Sequence, residues 1–146
     1  MGVENTFKSL FGMPNMRIGF SIYNPLKKQF EVVPIMGMRS FILQNKLVET
    51  CNESLCQESY RKLIDQNNYF VISDVDKHYK LSGGMPPYKG LYEQKIKSAL
   101  LAPIAKEGQL LGVLELVSDK ANDFNSVSAK KLDDVVPYIV SAVLRS

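Results

Sequence analysis

Imidazole and thiol are scarce in this chain, which has one histidine, His78, and two cysteines, Cys51 and Cys56, in 146 residues. No metal-binding spacing of His and Cys can be drawn from so few, and two cysteines make no disulfide framework. On a helix their offset turns the two thiols about 140° apart, so both read as small buried hydrophobes. A Ser-His-acid triad has only His78 to draw on, in a segment with no nucleophile elbow. Long apolar runs are missing too. None approaches the roughly 18 residues of a membrane span, and no cationic stretch precedes an apolar one at the N-terminus as it does in a secretory signal. The expected compartment is the cytoplasm, so the sequon-like Asn52-Glu53-Ser54 has no secretory route to give it meaning. Met1-Gly2-Val3-Glu4-Asn5-Thr6 fits the N-myristoylation pattern, which is short enough to arise by chance. Charge of one sign is also lacking: 18 basic and 15 acidic residues leave a formal +3. The doublets Lys27-Lys28 and Lys130-Lys131 stand alone, short of the concentrated basic face that nucleic acid requires.

What is present is an ordinary globular balance, with 45% hydrophobic and 23% charged residues. A chain of this length buries about 68–70% of its unfolded surface, enough for one core and one domain over 1–146.

Phe7, Leu10 and Phe11 repeat at helical spacing and predict a short helix that stops at Gly12-Met13-Pro14. Ile18, Phe20 and Ile22 alternate with Gly19, Ser21 and Tyr23. After Asn24-Pro25 the alternation resumes around Phe30 and Val32, as in a hairpin. Over 36–48 the contiguous Phe41, Ile42 and Leu43 fit a strand or a buried helical turn equally well. Cys56, Tyr60, Leu63 and Ile64 share one face of a helix that Asp65-Gln66-Asn67-Asn68 terminates, and a strand over 69–75 follows.

Residues 76–95 hold Gly83, Gly84, Pro86, Pro87 and Gly90 and read as a long irregular loop of the kind that serves as a lid. Strands over 97–105 and 109–118, joined by Lys106-Glu107-Gly108, make a second hairpin. Leu110, Leu114 and Leu116 fall on one face of the latter strand and Leu111, Val113 and Val117 on the other, so it lies centrally with both faces covered. A long helix over 126–145 follows, with Ser126 as N-cap, a bend at Pro137 and the stripe Leu132, Val135, Val136, Ile139 and Val143. Because it runs to the last residue, the natural protein is expected to continue beyond Ser146.

Ser98-Ala99-Leu100-Leu101-Ala102-Pro103-Ile104, then Gly108-Gln109-Leu110-Leu111-Gly112-Val113-Leu114-Glu115-Leu116, then a helix led by Phe124, resembles the C-terminal half of a GAF domain. The preceding order of hairpin, helix, Asp-ended strand (Val71-Ile72-Ser73-Asp74) and variable loop is similar to the same family. The resemblance therefore spans nearly the whole chain, in its first half by order more than by residues. Asn125-Ser126 with Lys131-Leu132-Asp133-Asp134-Val135-Val136-Pro137 is further similar to GAF segments of large multidomain bacterial proteins.

The resemblance implies an α+β, profilin-like GAF/PAS fold: a central antiparallel sheet of about six strands, N- and C-terminal helices on one face and a loop-covered pocket on the other. Members of the family bind cyclic nucleotides, bilins, haem or small metabolites. The cyclic-nucleotide motif falls here on Asp119-Lys120, Phe124 and Ser128-Ala129, and only the lysine and phenylalanine match. With no acid at Ser128 to partner Lys120, cyclic-nucleotide binding in that mode is not expected. No cysteine lies in 76–95 to attach a bilin, and His78 alone is a poor case for haem. The cofactor stays unknown.

Five candidate ligand-binding residues, His78, Tyr79, Met85, Tyr88 and Tyr92, sit in the lid segment; alternatively the tyrosines anchor that segment to the core. Ser21 and Tyr23 share a strand face with Gly19, and Ser98 is placed near them across the sheet as a small-residue floor, or as a site of tight helix packing. Asp74 ends a strand beside the lid and either binds a polar ligand group or caps a turn. No catalytic residue and no metal ligand is assigned. The expected function is a non-catalytic sensory domain of a bacterial regulator, binding a small molecule or a protein partner and forming a homodimer through its terminal helices. The alternatives are a ligand-free dimerisation scaffold and a GAF-fold free methionine sulfoxide reductase, which needs an accessible low-pKa thiolate and a resolving thiol.

Overall fold

A six-stranded antiparallel sheet organises the chain, in the order β3-β2-β1-β6-β5-β4. The computed structural model describes residues 8–9, 11–13, 15–27, 29–31, 40–41, 48–50, 69–84, 88–134, 136–138 and 141. The strands are β1 (Arg17–Asn24), β2 (Gln29–Glu31), β3 (Val48–Thr50), β4 (Phe70–Ile72), β5 (Ser98–Lys106) and β6 (Gln109–Ser118). The helices bounded among the described residues are α1 (Val75–Ser82), α2 (Tyr88–Glu93) and α3 (Ser126–Ala129), the last running into a 3-10 segment at Lys130–Asp134, and residues 8, 9, 11 and 136–138 are helical as well. The expected helix over 53–64 lies outside the described residues.

Both predicted hairpins form, each closed by the turn chemistry of its own residues. Asn24 Oδ1 accepts the Leu26 and Lys27 amides at 3.1 and 3.2 Å, which folds β1 back onto β2. Between β5 and β6, Glu107 and Gly108 take φ of 53° and 77°, the two left-handed residues of a type I′ turn. The first helix also ends where expected. Gly12 adopts φ 66° and the Met13 amide reaches back to the Lys8 carbonyl at 3.2 Å, a Schellman closure.

The two central strands are covered on both sides. Leu100, Ala102, Ile104, Leu114, Leu116, Ile18 and Phe20 pack on one face against Phe11, Phe124, Ala129 and Leu132, so residues from both ends of the chain share that layer. The opposite face carries Ala99, Leu101, Val113 and Val117, packed against Ile72, Val75, Leu91 and Phe41. Fully burying each large apolar side chain of these layers contributes about 1.5–3 kcal/mol.

Two strand residues change sides relative to simple alternation. The register between β5 and β6 slips between Ile104 and Ala105, where Ile104 pairs with Gly112 and Ala105 with Leu110. The bulge turns Leu110 toward Val113 and Val117, and Leu111 toward the layer of Leu114 and Leu116.

The largest correction concerns 76–95, read as an irregular loop, where the described residues form α1 and α2. Asp74 is the N-cap of α1, accepting the Lys77 amide at 3.2 Å, and Gly83 is its left-handed terminator at φ 71°. Val75 is the one buried residue of α1, so the helix has almost no apolar stripe to reveal it. The preceding strand is correspondingly shorter than 69–75, because Val75 opens α1.

Near the C-terminus, Asn125 and not Ser126 is the N-cap: its side chain accepts the Val127 and Ser128 amides at 3.0 Å, and Ser128 Oγ returns a bond from the Asn125 amide. The expected continuous helix gives way to the 3-10 segment shortly before Pro137, which has no N–H for the turn above it.

Candidate functional site

The α1/α2 side of the sheet carries the unusual chemistry. Along β1 the alternation that buries Tyr23 there also turns Gly19 and Ser21 to this face, opposite Glu115 and Val113 of β6. Gly19 and Ser21 are, with Ala99, the smallest residues of the layer. Ser21 is fully buried, and its Oγ finds no hydrogen-bond partner among the described residues. A buried hydroxyl left in that state costs about 1–3 kcal/mol.

Two residues along β6 from Val113, the partner of Ser21, lies Glu115, an acidic side chain with no exposed surface in the middle of an otherwise apolar strand. Burying a carboxylate is tolerable only when donors replace the water it leaves behind. Ser40 Oγ donates to its Oε2 at 2.6 Å and the Phe41 amide to its Oε1 at 2.6 Å. Phe41 is held from other directions as well. Its carbonyl accepts Gln94 Nε2 at 2.6 Å, and the Arg17 guanidinium sits 5.2 Å from its ring centroid. Ser40 and Phe41 thus form a strap pinned to the sheet by the buried acid.

On the same side of the sheet, α1 and α2 meet through aromatic contacts. Tyr79 and Tyr92 stack with centroids 4.0 Å apart and planes 2° from parallel. His78 meets Tyr88 at 5.3 Å, and Tyr88 turns its edge to Phe70 at 6.0 Å. Burial pushes the Tyr88 phenol up from its ordinary value, so it keeps its proton at neutral pH. His78 Nδ1 lies 2.8 Å from the Asp74 carbonyl oxygen, which fixes the proton on Nδ1.

Of the candidates named from the sequence, Ser21 and Tyr23 share one sheet face, and His78 with Tyr88 and Tyr79 with Tyr92 form two ring pairs between α1 and α2. Asp74 caps α1. Met85 lies outside the described residues. Ser98 is not part of the floor: alternation places it on the opposite face, with Leu100, and its hydroxyl donates to the Lys120 carbonyl at 2.6 Å. Glu115 is the residue that sequence reasoning passed over, although one acid inside Gly112-Val113-Leu114-Glu115-Leu116-Val117 is a visible break in an apolar run. Among the described residues no group of His, Cys, Asp and Glu could hold a metal ion.

The architecture is the GAF fold. No protein-family model matches the sequence, and no curated protein matches it in sequence. Solved structures match in shape. The chain is similar to the GAF domain of a two-component sensor histidine kinase from Bacillus halodurans, with TM-score 0.60 and 14% identity over 99% of this chain and 95% of that one. It is also similar to the free methionine-R-sulfoxide reductase from Neisseria meningitidis in complex with its substrate, with TM-score 0.62 and 15% identity over 96% and 74%. The type II free methionine-R-sulfoxide reductase from Thermoplasma acidophilum gives TM-score 0.62 and 15% identity over 96% and 86%. Sensor domains and reductases thus share this fold.

Proposed function

We propose that the chain is a non-catalytic sensory GAF domain of a cytoplasmic regulator, binding a small molecule on the sheet face floored by Gly19, Ser21 and Glu115. The observation that carries this reading is Ser21, whose hydroxyl is fully buried yet unpartnered among the described residues, two register steps from a buried carboxylate. Core packing alone is served better by alanine at that position. A ligand group bonded to Ser21 Oγ offsets the cost of burying it.

Two other readings have specific support. The reductase reading rests on the fold shared with two enzymes of that kind; it requires thiol chemistry from Cys51 and Cys56, both outside the described residues. The scaffold reading rests on Val127 and Tyr138, each leaving 75% of its surface exposed near the C-terminus, where a second copy could cover them.

Native against denaturing mass spectrometry of the purified protein, followed by a thermal-shift panel of small metabolites, tests the sensor. A bound molecule should leave on denaturation and, at about a hundredfold over its Kd, stabilise the fold by about 2.7 kcal/mol. The same protein should not turn over free methionine-R-sulfoxide with a thiol reductant. Turnover abolished by Cys51→Ser or Cys56→Ser would establish the reductase, and a bare dimer inert to the whole panel would establish the scaffold.

A further inference from the structure

A groove of about 670 Å³ lies where β1 begins, β6 has just ended and α2 hands over to β5. It is open to solvent and mainly polar. Among the described residues Lys8, Arg17 and Lys95 line it with one carboxylate, Asp119, and Asn15 and Gln94 add amides. A smaller hollow of about 210 Å³ shares Asn15, Met16 and Asp119 with it and adds Lys120 together with a second carboxylate, Asp123.

Two of these cations are placed in ways that folding alone does not require. Lys95 has φ 61°, donates its amide to the Tyr92 carbonyl at 3.0 Å and is followed by an Ile96-to-Leu91 closure at 3.1 Å. That is the left-handed position just past a helix, the place of glycine, where any side chain with a Cβ is disfavoured. A lysine there gives up stability and sets an ammonium, unpaired among the described residues, at the groove. Arg17 is held rather than mobile. Its Nη2 donates to Asp119 Oδ1 at 3.0 Å and its Cζ lies over the Phe41 ring, 5.2 Å from the centroid, while Nε and Nη1 meet no partner among the described residues. A fixed guanidinium with free donors is pre-organised for a planar or tetrahedral oxyanion.

We propose that this groove is a second binding site, distinct from the floor of Ser21 and Glu115, that takes a small phosphorylated molecule with Arg17 and Lys95 as its phosphate contacts. A phosphoryl group brings three acceptor oxygens and close to two charges, enough to meet both cations and leave Asp119 on Arg17.

Isothermal titration with inorganic pyrophosphate, at low and at high salt, tests it on wild-type protein and on Lys95→Gly and Lys89→Gln, the latter an exposed lysine of α2 outside the groove. Saturable heat at low salt is expected. Lys95→Gly should bind about tenfold more weakly while melting at a higher temperature than wild type, and Lys89→Gln should bind like wild type. The proposal is overturned if wild type gives no saturable heat, if Lys95→Gly binds normally, or if Lys89→Gln weakens binding as much. A lower melting temperature for Lys95→Gly would remove the argument from its backbone.

Discussion

The Phe41 amide donates to Glu115 Oε1 at 2.6 Å across 74 residues of sequence, and Ser40 Oγ reaches the other carboxylate oxygen at the same distance. One buried acid thus holds a distant stretch of chain against the sheet. Glu115→Gln keeps the shape but gives only one oxygen to receive two donors, and its amide nitrogen faces one of them. Ser40 can turn its hydroxyl to accept; the Phe41 N–H cannot. The substitution should destabilise the fold by about 1–3 kcal/mol, seen in urea as a lower midpoint at unchanged slope, with faster amide exchange at Phe41.

Ser21→Ala should act in the opposite direction. It removes a hydroxyl that has no exposed surface and no partner among the described residues, and leaves the backbone pairing of β1 with β6 untouched. The expected result is a gain of up to about 1 kcal/mol in thermal or urea unfolding, together with loss of any molecule that co-purifies with wild type. A clear loss of stability would mean that Ser21 Oγ is already satisfied from within the chain.

The hairpins β1-β2 and β5-β6 were legible because their signals are local, whereas β3 at Val48–Thr50 was not. Alternation at Ile18, Phe20 and Ile22, the Asn24-Pro25 turn and the Glu107-Gly108 turn each specify their own piece of backbone, and each formed where expected. Helices α1 and α2 were hidden for the converse reason. Gly83, Gly84 and Gly90 look like loop residues when counted together, yet Gly83 ends α1 and Gly90 is buried inside α2. An apolar stripe would have outvoted them, but α1 buries Val75 alone. The bulge at Leu110 and Leu111 is set by which residues of β5 they pair with, a fact no single strand carries. The strap on Glu115 is of that kind too, since it joins residues that only the folded chain brings together.

Gly112 is the tightest point of the central sheet. A Cβ there would stand 2.2 Å from the Ser21 carbonyl oxygen and 3.1 Å from the Phe20 ring. The ring could shift, but the carbonyl belongs to β1, so Gly112→Ala has to push β1 away from β6. Loss of about 3 kcal/mol or more is expected, with the near-ultraviolet dichroism of the core changed, and the floor residue Ser21 displaced along with its carbonyl. Melting close to that of wild type would show that β1 can move at little cost.

Tyr69 ties the edge of the sheet to the C-terminal segment by donating its phenolic proton to Asp133 Oδ1 at 2.6 Å. Burial first, then the bond to Asp133 and its negative charge, hold the phenol well above its ordinary value near 10. The folded state therefore keeps this proton at alkaline pH while the unfolded chain releases it. Its stabilising contribution is complete below pH 10 or so and declines as the pH rises further, with a limiting slope of about 1.4 kcal/mol per pH unit for one proton. Tyr69→Phe should cost about 0.5–1.5 kcal/mol at neutral pH, because a net hydrogen bond is lost. It should also flatten the fall in urea midpoint between roughly pH 9.5 and 11, since no phenol remains at that site to titrate. Equal slopes in the two proteins would mean that Tyr69 keeps its ordinary acidity and that the bond to Asp133 does not hold its proton in solution.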